Sequence, residues 1–431
     1  MPPLRDGWRY ASLGSLLDDR GLSYGIVQPG SPNSGGVPII RVNNIRNRRI
    51  ETEDVLKVSP EVESKFRRSR LRGGEVLLTL VGTLGEVAIV PKTLAGWNVA
   101  RAVGVIPVKK DPGADWVALC LELPMIRHFI QTRATTTVQA TFNLRDLAEL
   151  PIPIPPERVR KAITEFITPL DQKIELNRRM NTTLEAMARA LFQSWFVDFD
   201  PVRAKMDGRK PEGMNDVTAK LFPDSFQDSP MGPIPKGWKA VRLPEAIDVN
   251  PRRTLRKGTV APYLDMKNVP TYGHCPNNVI DREFTSGTKF ENGDTLLARI
   301  TPCLENGKTA FVDFLDEGQV GWGSTEFIVL SPKPPLSAQY GYLLARSESL
   351  RAHAIRNMAG TSGRQRVPSE CFNTFWLILP PPAIARRFEA ITAPLMAIIK
   401  ATVTESRTLF ALRDPFLPKL MCRDLIAYST L

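Results

Sequence analysis

The chain has 431 residues with a formal net charge of +12; that length outgrows one modest core and suits about two or three domains. Its 42% hydrophobic and 24% charged residues are ordinary for a globular protein, and no apolar run approaches a membrane span or a signal-peptide core, so a cytoplasmic protein is expected, without membrane association. Five scattered cysteines without a CxxC pair argue against a disulfide framework and a thiolate zinc site, while the basic balance favours a polyanionic partner, nucleic acid ahead of membrane.

In chain order, Gly7-Trp8 is followed by a short alternating segment, and residues 38–45 read PIIRVNNI. Residues 71–90 are expected to form two strands about a Gly-centred turn, GTLGE at 82–86. That turn lacks the G-x-G-x-x-G spacing and strand-to-helix setting of a dinucleotide fingerprint. AVGVIPV (102–108) reads as a further strand and 114–130 as a helix. TTTVQATFN (135–143) reads as a polar loop leading into a strand.

After PIPIPP the pattern changes. Ile163, Ile167, Leu170 and Ile174 recur at helical spacing, as do Leu184, Met187, Leu191 and Trp195 after a break in phase near Asn177. This is an apolar seam of coiled-coil type. Pro169 is expected at a junction or in the first turn of the long helix, because an interior proline removes a hydrogen bond. From Leu170 to Phe199 the helix would reach roughly 45 Å. A Pro-, Gly- and Asp-rich connector follows, with little periodicity.

The second half repeats the first. Gly237-Trp238 matches Gly7-Trp8, PYLDMKNV (262–269) matches 38–45, and FENGDTLLARITPCLENGKTAFV (290–312) matches 71–90. Asn44 and Asn268 lie 224 residues apart, and the Pro-Leu pairs at 169 and 394 lie 225 apart. Several correspondences in one order at a nearly fixed displacement mark a tandem duplication. EFIVLSP (326–332) is a strand candidate, 338–356 a helix, and GTSGRQRVPSECFN (360–373) a second polar loop. Leu395, Ile399, Val403 and Leu409 supply the second seam, which Asp414-Pro415 is expected to stop. Each long helix alone would leave an apolar face uncovered, and an antiparallel pair buries both; the alternative is that each packs on its own domain.

The expected fold class is therefore mixed α/β (α+β): two strand-rich globular domains separated by two long helices in an antiparallel coiled coil, with a pseudo-two-fold internal repeat. The expected boundaries are 1–155 and 234–381 for the globular domains, 156–200 and 382–431 for the helical regions, and 201–233 for the connector.

Basic clusters supply the candidate DNA-binding residues. In the first half these are Arg41, Asn43, Asn44, Arg46, Arg48, Arg49, Arg68 and Arg70. The second half offers Arg252, Arg253, Lys257, Arg356 and Arg366 as counterparts. Arginine and lysine serve phosphates, while Arg, Asn and Gln can read base edges; Gln139, Asn143, Arg364 and Gln365, in the polar loops, are the base-reading candidates. No P-loop, HExxH or G-x-S-x-G pattern occurs, and the histidines at 128, 274 and 353 are too scattered for a metal set. No catalytic residue, metal or cofactor is expected. A nuclease built from dispersed carboxylates and a coiled-coil scaffold without sequence-specific DNA binding are the alternatives.

Residues 151–208 and the glycine-rich 72–90, with the repeat layout, resemble the DNA-sequence specificity subunit of type I restriction-modification systems. The second helical region is more divergent but keeps TLFALRDPFLPKL. The resemblance spans the chain and implies two target recognition domains, each reading half of a split, asymmetric site on double-stranded DNA. It implies helices acting as spacer and docking surface, and two methyltransferase subunits as partners in adenine-N6 methylation. Motor-nuclease subunits would join for restriction. S-adenosylmethionine, ATP and magnesium would belong to those partners.

Overall fold

The computed structural model describes residues 4–31, 33–46, 48–136, 140–361 and 363–421. The chain divides into two compact units, one of residues 1–174 with 407–431 and the other of residues 175–406.

In the first unit the apolar runs Val76–Thr79 and Val103–Ile106 are buried along their whole length, as central strands must be. They pair antiparallel, Val76 opposite Ile106, in a four-stranded sheet flanked by Ser23–Tyr24 and Val87–Ile89. The GTLGE segment joins Val76–Thr79 to Val87–Ile89, with Gly82 and Gly85 at φ +76° and +85°; only glycine takes that conformation cheaply. A smaller sheet aligns Leu56–Val58, Val37–Ile40 and Asn98–Val99, the last two strands parallel. Arg9–Ser12 pairs with Pro151–Ile154. The helix expected over 114–130 is two, Ala114–Leu121 and Pro124–Arg133. Leu123 is extended at ψ 137°, and Pro124, without an N–H, starts the second helix instead of continuing the first.

The second unit repeats this order. Ile247–Val249, Phe327–Pro332, Thr295–Ala298 and Thr309–Phe311 form its four-stranded sheet, with Thr295 opposite Leu330. Val260–Leu264 runs parallel to Gly321–Gly323 in a second sheet, and Lys239–Arg242 pairs with Trp376–Leu379. The helix expected over 338–356 also breaks, at Ser347, whose side chain caps the second piece. The connector is more ordered than its composition suggests. It forms helices Asp200–Met206 and Asp216–Leu221, and buries Val202 and Phe222 in the core with Trp195 and Trp238.

Two 40-residue helices, Glu157–Phe196 and Pro382–Met421, begin and end 225 residues apart. Each would measure about 60 Å. Contrary to expectation, Pro169 lies inside the first, and Pro394 and Pro415 lie inside the second. Pro169 and Pro394 are exposed, as are Glu165 and Ala390 four residues before them. The carbonyl that loses its partner therefore faces water.

Within the second unit the helices run antiparallel in contact. Asn177 bonds Thr402, whereas Trp195 stacks against Phe388 at 5.9 Å. The helices also pack on domain cores, Ile163 and Ile167 in the first unit and Phe192 and Trp195 in the second. Ile174 and Ile399 are buried, and Leu170, Leu184, Leu191, Leu395, Val403 and Leu409 are half-buried. Met187 is a correction: it is 53% exposed. The inward stripe runs Glu185, Ala188, Phe192, Trp195, which turns position 187 outward.

Candidate nucleic-acid interface

In each unit a polar hairpin is attached to the sheet by the same bonds. In the first unit, Thr135–Thr136 pairs with Ala140–Thr141. Gly82 N–H donates to Ala140 O at 3.0 Å, and Phe142 N–H to Leu80 O at 2.9 Å. In the second, Ala359 pairs with Arg366. Thr301 N–H donates to Gln365 O at 3.0 Å, and Val367 N–H to Arg299 O at 2.8 Å. Bridges Val81–Thr141 and Ile300–Arg366 complete the match. Position for position, the strand residues are 219 apart and the hairpin residues 225 apart. The polar loops of the sequence are thus hairpins bonded to the end of a buried central strand.

A buried carboxylate braces the start of that strand in both units. Glu75 accepts the Arg72 and Gly73 N–H groups at 2.8 Å each and pairs with Arg20 at 2.7 Å. Asp294 accepts the Glu291 N–H at 2.8 Å and pairs with Arg253 at 3.0 Å. The Gly-acid signature of the repeat is structural, and Arg253 belongs to it; Glu291, at 3.0 Å, takes its other arm.

Several other candidates are engaged internally. Asn44 is 2% exposed, accepts the Arg41 N–H at 2.9 Å and donates to Asp54 O at 3.0 Å. Arg41 itself reaches Asp54. Arg48, at φ +65° in the 45–50 hairpin, pairs with Glu122 at 3.3 Å and with Asp171. Arg70 holds Glu63 at 2.7 Å, which keeps that carboxyl below its ordinary range. Asn143 caps the short helix Leu144–Ala148, accepting from Asp146 N–H at 2.8 Å. Arg366 forks onto Glu326, with contacts from 2.7 to 3.0 Å.

The remaining candidates face outward. Asn43 and Arg46 are exposed on the 41–50 segment, where Arg49 is half-buried; Arg68 is exposed and reaches Arg20 O at 3.0 Å. Arg252, Lys257, Arg356 and Arg364 are exposed, and Gln365 is half-buried. Gln139 lies outside the described residues. The 45–50 hairpin lies beside the edge strand Val87–Ile89 through the bridge Arg48–Ala88, one strand over from the 135–141 hairpin.

Contrary to the expectation from sequence, residues 252–257 are not the counterpart of 41–49. They precede Val260–Leu264, whereas 41–49 follows the equivalent strand Val37–Ile40. The scaffold is duplicated and the charges on it are not. Sequence reasoning also missed Arg299 and Lys289, which share a polar cavity with Arg253. The signal was present: LLAR in the second repeat stands where the first has LLTL. Among the described residues, no group of three or more His, Cys, Asp or Glu is placed to hold a metal. Among them too, no helix is long and apolar enough to cross a membrane.

Comparison with known proteins agrees with this architecture. Residues 31–186 match the type I restriction modification DNA specificity domain. The type I restriction enzyme EcoBI specificity subunit of Escherichia coli is 30% identical over 152 residues, 35% of this chain and 32% of that protein. This chain therefore spans about a third of that relative. The HindI specificity subunit of Haemophilus influenzae is 24% identical over 333 residues, 68% of this chain and 72% of that protein. In fold, the chain is similar to the crystal structure of the type I restriction-modification S subunit from M. genitalium. The TM-score is 0.53 at 14% identity, covering 98% of this chain and 99% of that one. Residues 31–186 thus match the DNA specificity domain of type I restriction-modification systems, and the curated relatives that the chain resembles are specificity subunits of such systems.

Proposed function

We propose that this chain is the non-catalytic subunit that gives a type I restriction-modification complex its DNA sequence specificity. Each strand-rich domain, 1–155 and 234–381, reads one half of a bipartite asymmetric site on duplex DNA. The helical regions 156–200 and 382–431 act as spacer and as docking surface for two methyltransferase subunits, with motor-nuclease subunits joining for restriction in the cytoplasm. The observation that carries this reading is the twice-built hairpin, attached through Gly82 and Ala140 in one repeat and through Thr301 and Gln365 in the other. Identical supports under different side chains suit a reader whose two half-sites differ. In the base-reading role Arg364 and Gln365 are the leading candidates, with Arg46, Arg252, Lys257 and Arg356 on phosphates. Selection of bound duplexes from a randomised pool by the full chain tests it. A two-part consensus with a constant gap supports the proposal; retention of every sequence alike favours a scaffold without sequence-specific binding.

A further inference from the structure

A polar cavity of about 340 Å³ opens in the second unit, lined by residues that include Asn250, Arg253, Thr288, Lys289, Arg299 and Thr325. Three cations line it, and no carboxylate does. Arg253 is neutralised by Asp294 and Glu291, each at 3.0 Å. Lys289 donates one bond to Arg253 O at 3.3 Å, and an ammonium has two more to give. The Arg299 side chain makes no hydrogen bond or ion pair among the described residues, and its Nε is buried without a partner. Donors left unmatched beside two uncompensated positive charges call for an anion with several acceptor oxygens. The Thr288 and Thr325 hydroxyls and the Asn250 amide add neutral donors around it.

The cavity also adjoins the hairpin. Arg299 O accepts Val367 N–H at 2.8 Å, and Arg299 N–H donates to Glu326 O at 3.0 Å. The Glu326 carboxylate in turn holds Arg366 at 2.7 Å. The counterpart of Arg299 in the first unit is Leu80, which is fully buried. Gly104 makes room there, since a Cβ at 104 would meet Leu80 Cδ1 at 2.7 Å. In the second unit the equivalent position is Ile328, itself fully buried.

Resting on the DNA-reading function above, we propose that this cavity seats one backbone phosphate of duplex DNA beside the bases read by the 359–366 hairpin. Arg299 and Lys289 are its ligands, and only the second half-site is anchored in this way. A phosphate held there fixes the register of the hairpin on the duplex without itself carrying sequence information.

The test uses the full chain and a duplex that it selects from a randomised pool, in which single phosphates are replaced by neutral methylphosphonates. Wild type is expected to lose about tenfold in affinity at one phosphate of the second half-site. Arg299→Leu, which copies the first repeat, is expected to show a similar loss on normal duplex and no further loss at that phosphate. Arg299→Lys is expected to recover most of the affinity, and a melting curve confirms that each variant is folded. The log–log salt slope should fall by about one in the leucine variant. If folded Arg299→Leu still suffers the full methylphosphonate loss at every phosphate, the cavity is not the phosphate site, although DNA reading stands. If wild type selects no duplex, the DNA-reading function fails and this assignment fails with it.

Discussion

Asn177 donates from Nδ2 to the backbone carbonyl of Thr402 at 3.4 Å, and Thr402 is its own counterpart 225 residues along the repeat. The same amide reaches Glu405 at 2.7 Å and Ser406 Oγ at 3.2 Å. Thr402 Oγ1 lies 2.5 Å from Asn181 Oδ1. Asn177 has no exposed surface, so this polar knot interrupts an apolar seam. One polar residue at such a position specifies the alignment of the two helices at some cost in stability. The break in sequence periodicity at Asn177 is therefore a feature of the pairing.

Asn177→Ala should lower the stability of this unit by about 1–3 kcal/mol, because it strips the amide donor from the buried Thr402 carbonyl and from the part-buried contacts with Glu405 and Ser406. In thermal unfolding that is a fall of about 2–4 °C for each kcal/mol. An unchanged melting temperature would mean that the knot contributes nothing.

His274 offers a pH-dependent effect on stability. It is fully buried, with Asp313 at 3.6 Å from Nε2 and Glu185 at 4.0 Å from Nδ1. Burial pulls its pKa down, but Asp313 and Cys275 outweigh burial and raise it to about 9 from an ordinary 6.5. The folded form therefore holds the proton more tightly than the unfolded chain. Its stabilisation is full below pH 6.5 and lost as pH rises through about 9. Denaturant unfolding should show stability declining across that window, and His274→Gln should flatten the decline. A variant with the wild-type slope would contradict the assignment.

Lengthening both long helices by four residues, in the stretches 175–196 and 382–406, adds about 6 Å to each. If helix length sets the distance between half-sites, the unspecified gap should grow by about two base pairs. A methylation footprint with an unaltered gap would remove the spacer role.

Exchange of residues 1–155 for the equivalent domain of a relative with another specificity should alter one half of the recognised motif and preserve the other. Simultaneous change of both halves would show that the domains do not read independently.

The duplication was legible because its marks are local. Gly-acid turns, Gly-Trp and Pro-Leu at fixed displacement survive when most residues between them change. Helix type was legible for the same reason, since an apolar stripe declares itself over a few turns. Helix limits were not. Pro169 and Pro394 are interior because their faces are solvated, a tertiary fact absent from the local pattern. The candidate interface was legible only as charge. Nothing local in RVNNIRNRR reveals that Arg48 is committed to Glu122 and Asp171. Likewise, Asp294 lies 41 positions from Arg253, the candidate that it neutralises. Arg299 is not legible as part of a charge cluster, because it is an isolated cation that directly follows the apolar strand Thr295–Ala298.

The most direct test of the central claim is to co-express the full chain with its cognate methyltransferase subunit and map N6-methyladenine across a host genome by single-molecule sequencing. The account predicts a two-part asymmetric motif with a constant gap, methylated only when this chain is present. A verified, assembled complex that leaves no such motif would contradict it and bring the scaffold reading forward.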